Sequence, residues 1–169
     1  MTTTLYATSI PVFTQMLGAL SQVLAKAEAY ATARGIDPNA LLQARLYPDM
    51  FPLLRQACVA SDFARSVSAR LAGVEVPAFE DNEQTFADLR ARIDRTLSFI
   101  GSLMPAQFEG SDTREIVTQA GTPKEKRFSG TSYLLNYGLP HFYFHTSAAY
   151  MILRHNGVEV GKKDYIGTY

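Results

Sequence analysis

Residues 9–34 read SIPVFTQMLGALSQVLAKAEAYATAR, and the spacing of their apolar side chains decides the fold. Ile10, Phe13, Leu17, Leu20, Leu24 and Ala27 recur at intervals of three and four. Side chains three and four apart share one face of a helix, so this is the seam of a helix packed lengthwise in a bundle. Gly35 supplies the stop, because glycine enters the left-handed conformation at a helix C-terminus without a Cβ clash.

Outward from this segment the same pattern recurs. Asp37-Pro38 opens a short turn of helix to about Ala44, and Tyr47-Pro48 forces the chain extended. Asp49 is expected to cap a second long helix from Met50 to Leu71, with Pro52 tolerated in its first turn. Its seam, Leu53, Ala57, Ala60, Ala64, Val67 and Leu71, is mostly small and lets a neighbour approach closely. Gly73 ends it, and Val76-Pro77 reads as a linker. Asp81 or Asn82 is expected to cap a third helix, Glu83 to Met104, with the seam Phe86, Leu89, Ile93, Thr96, Ile100, Leu103. Within residues 106–130, Glu115-Ile-Val-Thr-Gln and Lys126-Arg-Phe flank the turn-forming Gly121-Thr-Pro, which predicts a β-hairpin. A fourth helix follows from Thr131 to His155, kinked at Gly138-Leu-Pro140 and stopped by Asn156-Gly157. The tail, Val158 to Tyr169, shows no period. The sequence therefore predicts an all-α, up-down four-helix bundle over residues 1–169, one domain, with a small β-hairpin inserted before the last helix.

Composition narrows the function classes. Lys+Arg and Asp+Glu are both 16, so the net charge is zero and the basic excess of a nucleic-acid binder is missing. With one cysteine, Cys58, neither an intramolecular disulfide nor a thiolate metal cluster is available within a chain. The N-terminal stretch shows no basic segment followed by an apolar run, and no segment has the roughly 18 apolar residues of a membrane span. A soluble cytoplasmic protein, with no nucleic acid and no membrane among its partners, is the expectation.

The chemistry concentrates in the fourth helix, which carries all three histidines. His141 and His145 stand four apart, so their rings project from one face a turn apart, the spacing by which one helix offers two imidazoles to a metal. Leu134, Gly138, His141, His145, Ala148, Ile152 and His155 make a seam that places both rings toward the bundle core. Buried polar groups need partners, so this pattern predicts either a metal or a hydrogen-bonded network. His155 lies at the helix end, where a cation complements the dipole. Arg114, Lys124, Lys126 and Arg127 around the hairpin read as a solvated face.

LPHFYFHTSAAYMILRHNG at residues 139–157, followed by Gly161-Lys-Lys-Asp-Tyr-Ile-Gly, resembles the signature of the DUF1993 family. Tyr47-Pro-Asp-Met-Phe-Pro-Leu and Ala69-Arg-Leu-Ala-Gly-Val-Glu-Val-Pro resemble its N-terminal half. That family is similar to the DinB/YfiT-like superfamily of four-helix bundles, many members of which bind a divalent metal through one histidine of the second helix and H-x-x-x-H of the last. Characterised relatives include thiol-dependent transferases and a thiol-dependent isomerase. The resemblance thus implies a metal-dependent transferase or isomerase, a small thiol as ligand, and a dimer.

His141 and His145 match the H-x-x-x-H part, but the second helix has no histidine. On its seam, centred between Ala57 and Ala60, Gln56 and Ser61 lie on the flanks, whereas Asp62 and Cys58 point away. Gln56 is therefore the best-placed third ligand, and an amide is a weak one. The candidate metal residues are His141, His145 and Gln56, forming a weak or vestigial site for Zn or Ni. The alternative is a non-catalytic dimeric binding or stress-related protein whose histidines form a structural hydrogen-bond network. Phe142, Tyr143, Phe144 and Tyr150 spread around the fourth helix and need a cover, which predicts a homodimer through the first or fourth helix.

Overall fold

The computed structural model describes residues 4–169. Residues 1–3, part of the N-terminal stretch considered above as a leader, lie outside the described residues. Four long helices form the bundle: α1 (Leu5–Arg34), α3 (Leu53–Ala72), α4 (Phe86–Gly101) and α6 (Leu139–His155). The short α2 (Pro38–Leu42) joins the first two. Strands β1 (Glu115–Thr118) and β2 (Lys126–Ser129) make the expected antiparallel hairpin before the last helix, Ile116 opposite Phe128.

Local chemistry explains most element ends. Thr4 caps α1 by accepting from the Ala7 amide, and Gly35 and Gly73 close α1 and α3 with positive φ. Asp49 does not cap α3: it lies in a turn closed by the Met50 amide donating to the Tyr47 carbonyl, and the extended Pro52, which has no amide proton to satisfy, occupies the cap position. Neither Asp81 nor Asn82 caps α4. Thr85 does, in a reciprocal pair with Asp88, because Asp81 is drawn off to arginines.

Residue pairs set the directions. Glu28 of α1 meets Arg90 early in α4, while Tyr6 meets Phe108 beyond the end of α4, so these two helices are antiparallel. Phe13 packs on Phe142 near the start of α6, and the Tyr30 hydroxyl lies against Gly157 past its end, so α1 and α6 run parallel. Gln56 and Phe63 of α3 meet His145 and His141, so α3 runs against α6. The four helices thus run up, down, down, up. Residues 73–85 are consequently more than a linker. They must return along α3, whose twenty residues span about 30 Å. Extended chain of that length reaches about 40 Å.

Arg92 of α4 pins this strap. Its side chain is 1% exposed and donates to the Glu80 carbonyl at 3.0 Å, Glu83 at 2.7 Å, Asp81 at 3.1 Å and Asp62 of α3 at 2.6 Å. Burial opposes its charge, but the hydrogen bonds to Glu83 and Asp62 outweigh it and hold the guanidinium above its ordinary pKa.

The fourth helix keeps most of the expected seam: Leu134, Gly138, His145, Ala148 and Ile152 are buried, and His141 and His155 are the exceptions. Its first turn, α5 (Gly130–Ser132), leads into a π-helical stretch, Tyr133–Gly138, and only then into α6. A π-turn holds more residues per turn than an α-turn, yet Leu134 and Gly138 both stay on the buried face. In α6 the buried face is broad: Phe142, which meets Phe13, and Thr146, Ala149 and Leu153 are buried beside the seam positions His145, Ala148 and Ile152. His145 stays buried, whereas His141 and His155 are exposed.

The tail has structure that its sequence did not announce. α7 (Lys162–Ile166) packs on α1, tied by Lys26–Asp164 at 2.6 Å and by Gln15 donating to the Ile166 carbonyl. Tyr165 covers Tyr150 edge to face at 5.5 Å, so part of the aromatic surface of α6 is covered within the chain. Among the described residues no helix is long and apolar enough to cross a membrane.

Candidate functional site

Gln56, in the second turn of α3, is 1% exposed and faces His145, which is 8% exposed on α6. The amide Nε2 donates to the Phe51 carbonyl at 3.2 Å, which only accepts. That fixes the amide orientation and leaves Oε1 toward His145 Nδ1, 2.7 Å away. A carbonyl oxygen accepts only, so Nδ1 carries the proton and Nε2 keeps its lone pair. Burial, with smaller contributions from His141 and Arg55, pulls His145 down to about 4. The ring is neutral at pH 7 and presents a fixed acceptor.

Around it aromatic rings stack along the α3–α6 groove. Phe63 of α3 lies nearly parallel to His141 at 4.7 Å and to His145 at 5.9 Å. Phe51 stacks on His145 at 6.4 Å, and Tyr137 of the π-stretch tilts onto His141 at 4.5 Å. Burial, then the charge of Lys126, lowers the His141 pKa. An open cleft of about 460 Å³ is lined by Pro140, His141, Phe144 and His145. It is an apolar, ring-lined surface with one oriented hydrogen-bond acceptor.

The structure brings two of the three candidate ligands, Gln56 and His145, into direct contact, as a hydrogen-bonded pair. Gln56 meets His145 through the ring nitrogen that a metal does not need, and so acts as the group that orients the imidazole. Its other end is committed to Phe51. The structural metal sites of proteins close with four N or S ligands, and catalytic ones use three. Here two imidazoles remain. Asp62 is held by Arg65 at 2.9 Å and Arg92 at 2.6 Å. Cys58 lies inside the bundle beside Glu83, and burial pushes its thiol up to about 12, so it is neither thiolate ligand nor nucleophile. Among the described residues no group of three or more His, Cys, Asp or Glu side chains is placed to hold a metal ion. The donor set therefore does not fit a dedicated divalent-metal site.

The basic residues of the hairpin are likewise dispersed. Arg127 pairs with Glu115 and Glu125, Arg114 donates to the Leu71 carbonyl, and Lys126 lies over the Tyr137 ring. Sequence reading missed Phe63, Tyr137 and Arg92. Phe63, Arg92 and Tyr137 lie off the apolar seams of their helices.

A four-helix bundle with a hairpin before its last helix, and a polar pair joining the second and last long helices, defines a DinB-like fold. The chain belongs to the DUF1993 family, described as a domain of unknown function, whose family model matches residues 5–166. It is similar to the crystal structure of a DinB family member protein from Shewanella denitrificans. The two share 40% identity over 98% of this chain and 93% of that one, with a TM-score of 0.91. No curated protein matches the chain.

Proposed function

We propose that this chain is a non-catalytic small-molecule binding protein whose site is the cleft beside the first turns of α6. The occupant is a ring-bearing molecule with an O–H or N–H donor: its ring lies on Phe144 and His141, and its donor reaches His145 Nε2. The single observation that carries this is the Nδ1–Oε1 contact of 2.7 Å, since it consumes the Gln56 oxygen and sets the tautomer. A base with a pKa near 4 accepts a hydrogen bond without taking the proton, which suits binding better than proton transfer at pH 7. Titrating isotope-labelled protein with phenol, and with anisole as the ring lacking a donor, tests it. Phenol is expected to bind saturably and at least about tenfold tighter than anisole, a difference of about 1.4 kcal/mol. Equal binding of the two, or phenol binding unchanged in His145→Ala, refutes the proposal.

The metal reading keeps one favourable observation. An imidazole oriented through Nδ1, with a second one turn away, is how a helix presents two nitrogens to Zn or Ni. In that case a small thiol at the metal is the ligand, and transfer or isomerisation the reaction class. Stoichiometric Zn or Ni in protein purified without an affinity tag supports that reading against ours. A homodimer belongs to the same proposal: Phe144 and Met151, seven apart on α6, are 55% and 52% exposed and offer a symmetric contact.

A further inference from the structure

A second cavity, of about 180 Å³, opens on the other side of Phe63, where α3 ends, the hairpin folds back and the π-stretch begins. Ser66, Arg70, Thr118, Gln119 and Tyr133 line it, with the rings of Phe63 and Tyr137 as apolar walls. Two features of its frame are unusual. The wall from Tyr133 to Gly138 is π-helical, a geometry that recurs at functional sites. Gln119 has a φ of 51°, costly for a side chain with a Cβ.

Arg70 is the one cation among the lining residues. A guanidinium has five N–H donors. The side-chain partner of Arg70 among the described residues is the Tyr133 hydroxyl, 3.0 Å from Nη1. That hydroxyl accepts from Arg70, and the Ser66 hydroxyl is a second hydrogen-bond partner beside it. Burial raises the Tyr133 pKa, which keeps the phenol protonated. Asp62 lines the same cavity, but its Oδ1 is engaged by Arg65 and Arg92. The cavity therefore offers a guanidinium fork, a phenolic O–H and two aliphatic hydroxyls beside aromatic walls.

We propose that this cavity binds a small carboxylic acid as its anion, the carboxylate held by Arg70 and the Tyr133 hydroxyl and the apolar part resting on Phe63 and Tyr137. Planar carboxylates match the guanidinium fork, and charge-assisted bonds of this kind are the strong ones. The cavity is smaller than the usual drug-sized pocket, which restricts the ligand to an acid of roughly benzoate size. The cavity lies next to the cleft at His145 and shares with it the rings of Phe63 and Tyr137.

Titration of isotope-labelled full-length protein with benzoate, against neutral benzamide, tests the proposal. Benzoate is expected to shift the Thr118 and Gln119 amides saturably, and benzamide to bind at least about tenfold more weakly. Arg70→Met and Tyr133→Phe should each weaken benzoate about tenfold or more. No saturable shift at these amides, equal affinity for benzoate and benzamide, or undiminished binding in Arg70→Met overturns it. Arg70 then only complements the C-terminal dipole of α3. Should Arg70→Met fail to fold, the acid–amide comparison on the unaltered chain decides alone.

Discussion

Lowering the pH from 7 to 5 should destabilise this protein through His145, and replacing His145 by alanine should remove that loss. In the unfolded chain a histidine titrates near its ordinary value of about 6.5. In the fold His145 titrates at about 4, because burial, His141 and Arg55 all disfavour its charged form. The folded state therefore binds fewer protons between these values. The contribution is complete above pH 6.5 and is lost as the pH falls toward 4. Linkage between the two values gives about 2 kcal/mol lost at pH 5 and about 3 kcal/mol below pH 4. His141 shifts in the same direction, so the wild type loses at least this much. The carboxylates held below their ordinary values, Asp81, Asp88, Glu125 and Asp164, lose their contributions only as the pH falls through the acid range near 4 and below. The window from 7 to 5 is thus mainly histidine. Urea unfolding followed by circular dichroism at the two pH values measures the difference for each chain. His145→Ala should cost about 1–3 kcal/mol at pH 7, since the Gln56 carbonyl is left unsatisfied. The gap between the two proteins should nearly close at pH 5. Identical pH dependence in wild type and His145→Ala refutes the reasoning, and so does an NMR titration of His145 with its midpoint near 6.5.

Arg92→Met should destabilise by about 3–5 kcal/mol in urea, because it leaves Glu83 only the longer contact to Arg95 and frees the strap at residues 73–85; a loss under about 1 kcal/mol means that the strap is held by packing alone. Gly138→Ala places a Cβ 2.8 Å from a Val67 methyl and should cost about 1–3 kcal/mol by thermal unfolding. The double variant with Val67→Ala should show a coupling energy of opposite sign, and strict additivity argues against the contact. Light scattering at micromolar concentration should show a dimer that Phe144→Glu with Met151→Glu converts to monomer; a monomeric wild type ends the dimer proposal and makes the tail helix the main cover of α6.

The number and kind of elements were legible in sequence because they rest on local rules. Seams such as Ile10–Ala27 and Phe86–Leu103 demand a bundle, Gly35 and Gly73 stop helices, and Gly121-Thr-Pro between two short runs turns a hairpin. Gln56 opposite His145 was also readable, since both ends of that contact follow from helical phase on straight helices. What the tertiary structure alone decided concerns exposure, direction and partnership. Phe142 is buried against Phe13 of α1 while His141 stays exposed beside Phe63 of α3, and which flank of a seam a neighbouring helix covers is not written in the spacing. The order up, down, down, up depends on where residues 73–85 end, which is settled by Arg92 meeting carboxylates far along the chain. Whether Gln56 ligates or orients depends on the Phe51 carbonyl taking its amide. Periodicity reports which face a side chain occupies, but hydrogen-bond partners are chosen by distance and angle in three dimensions, and those exist only once the helices have packed.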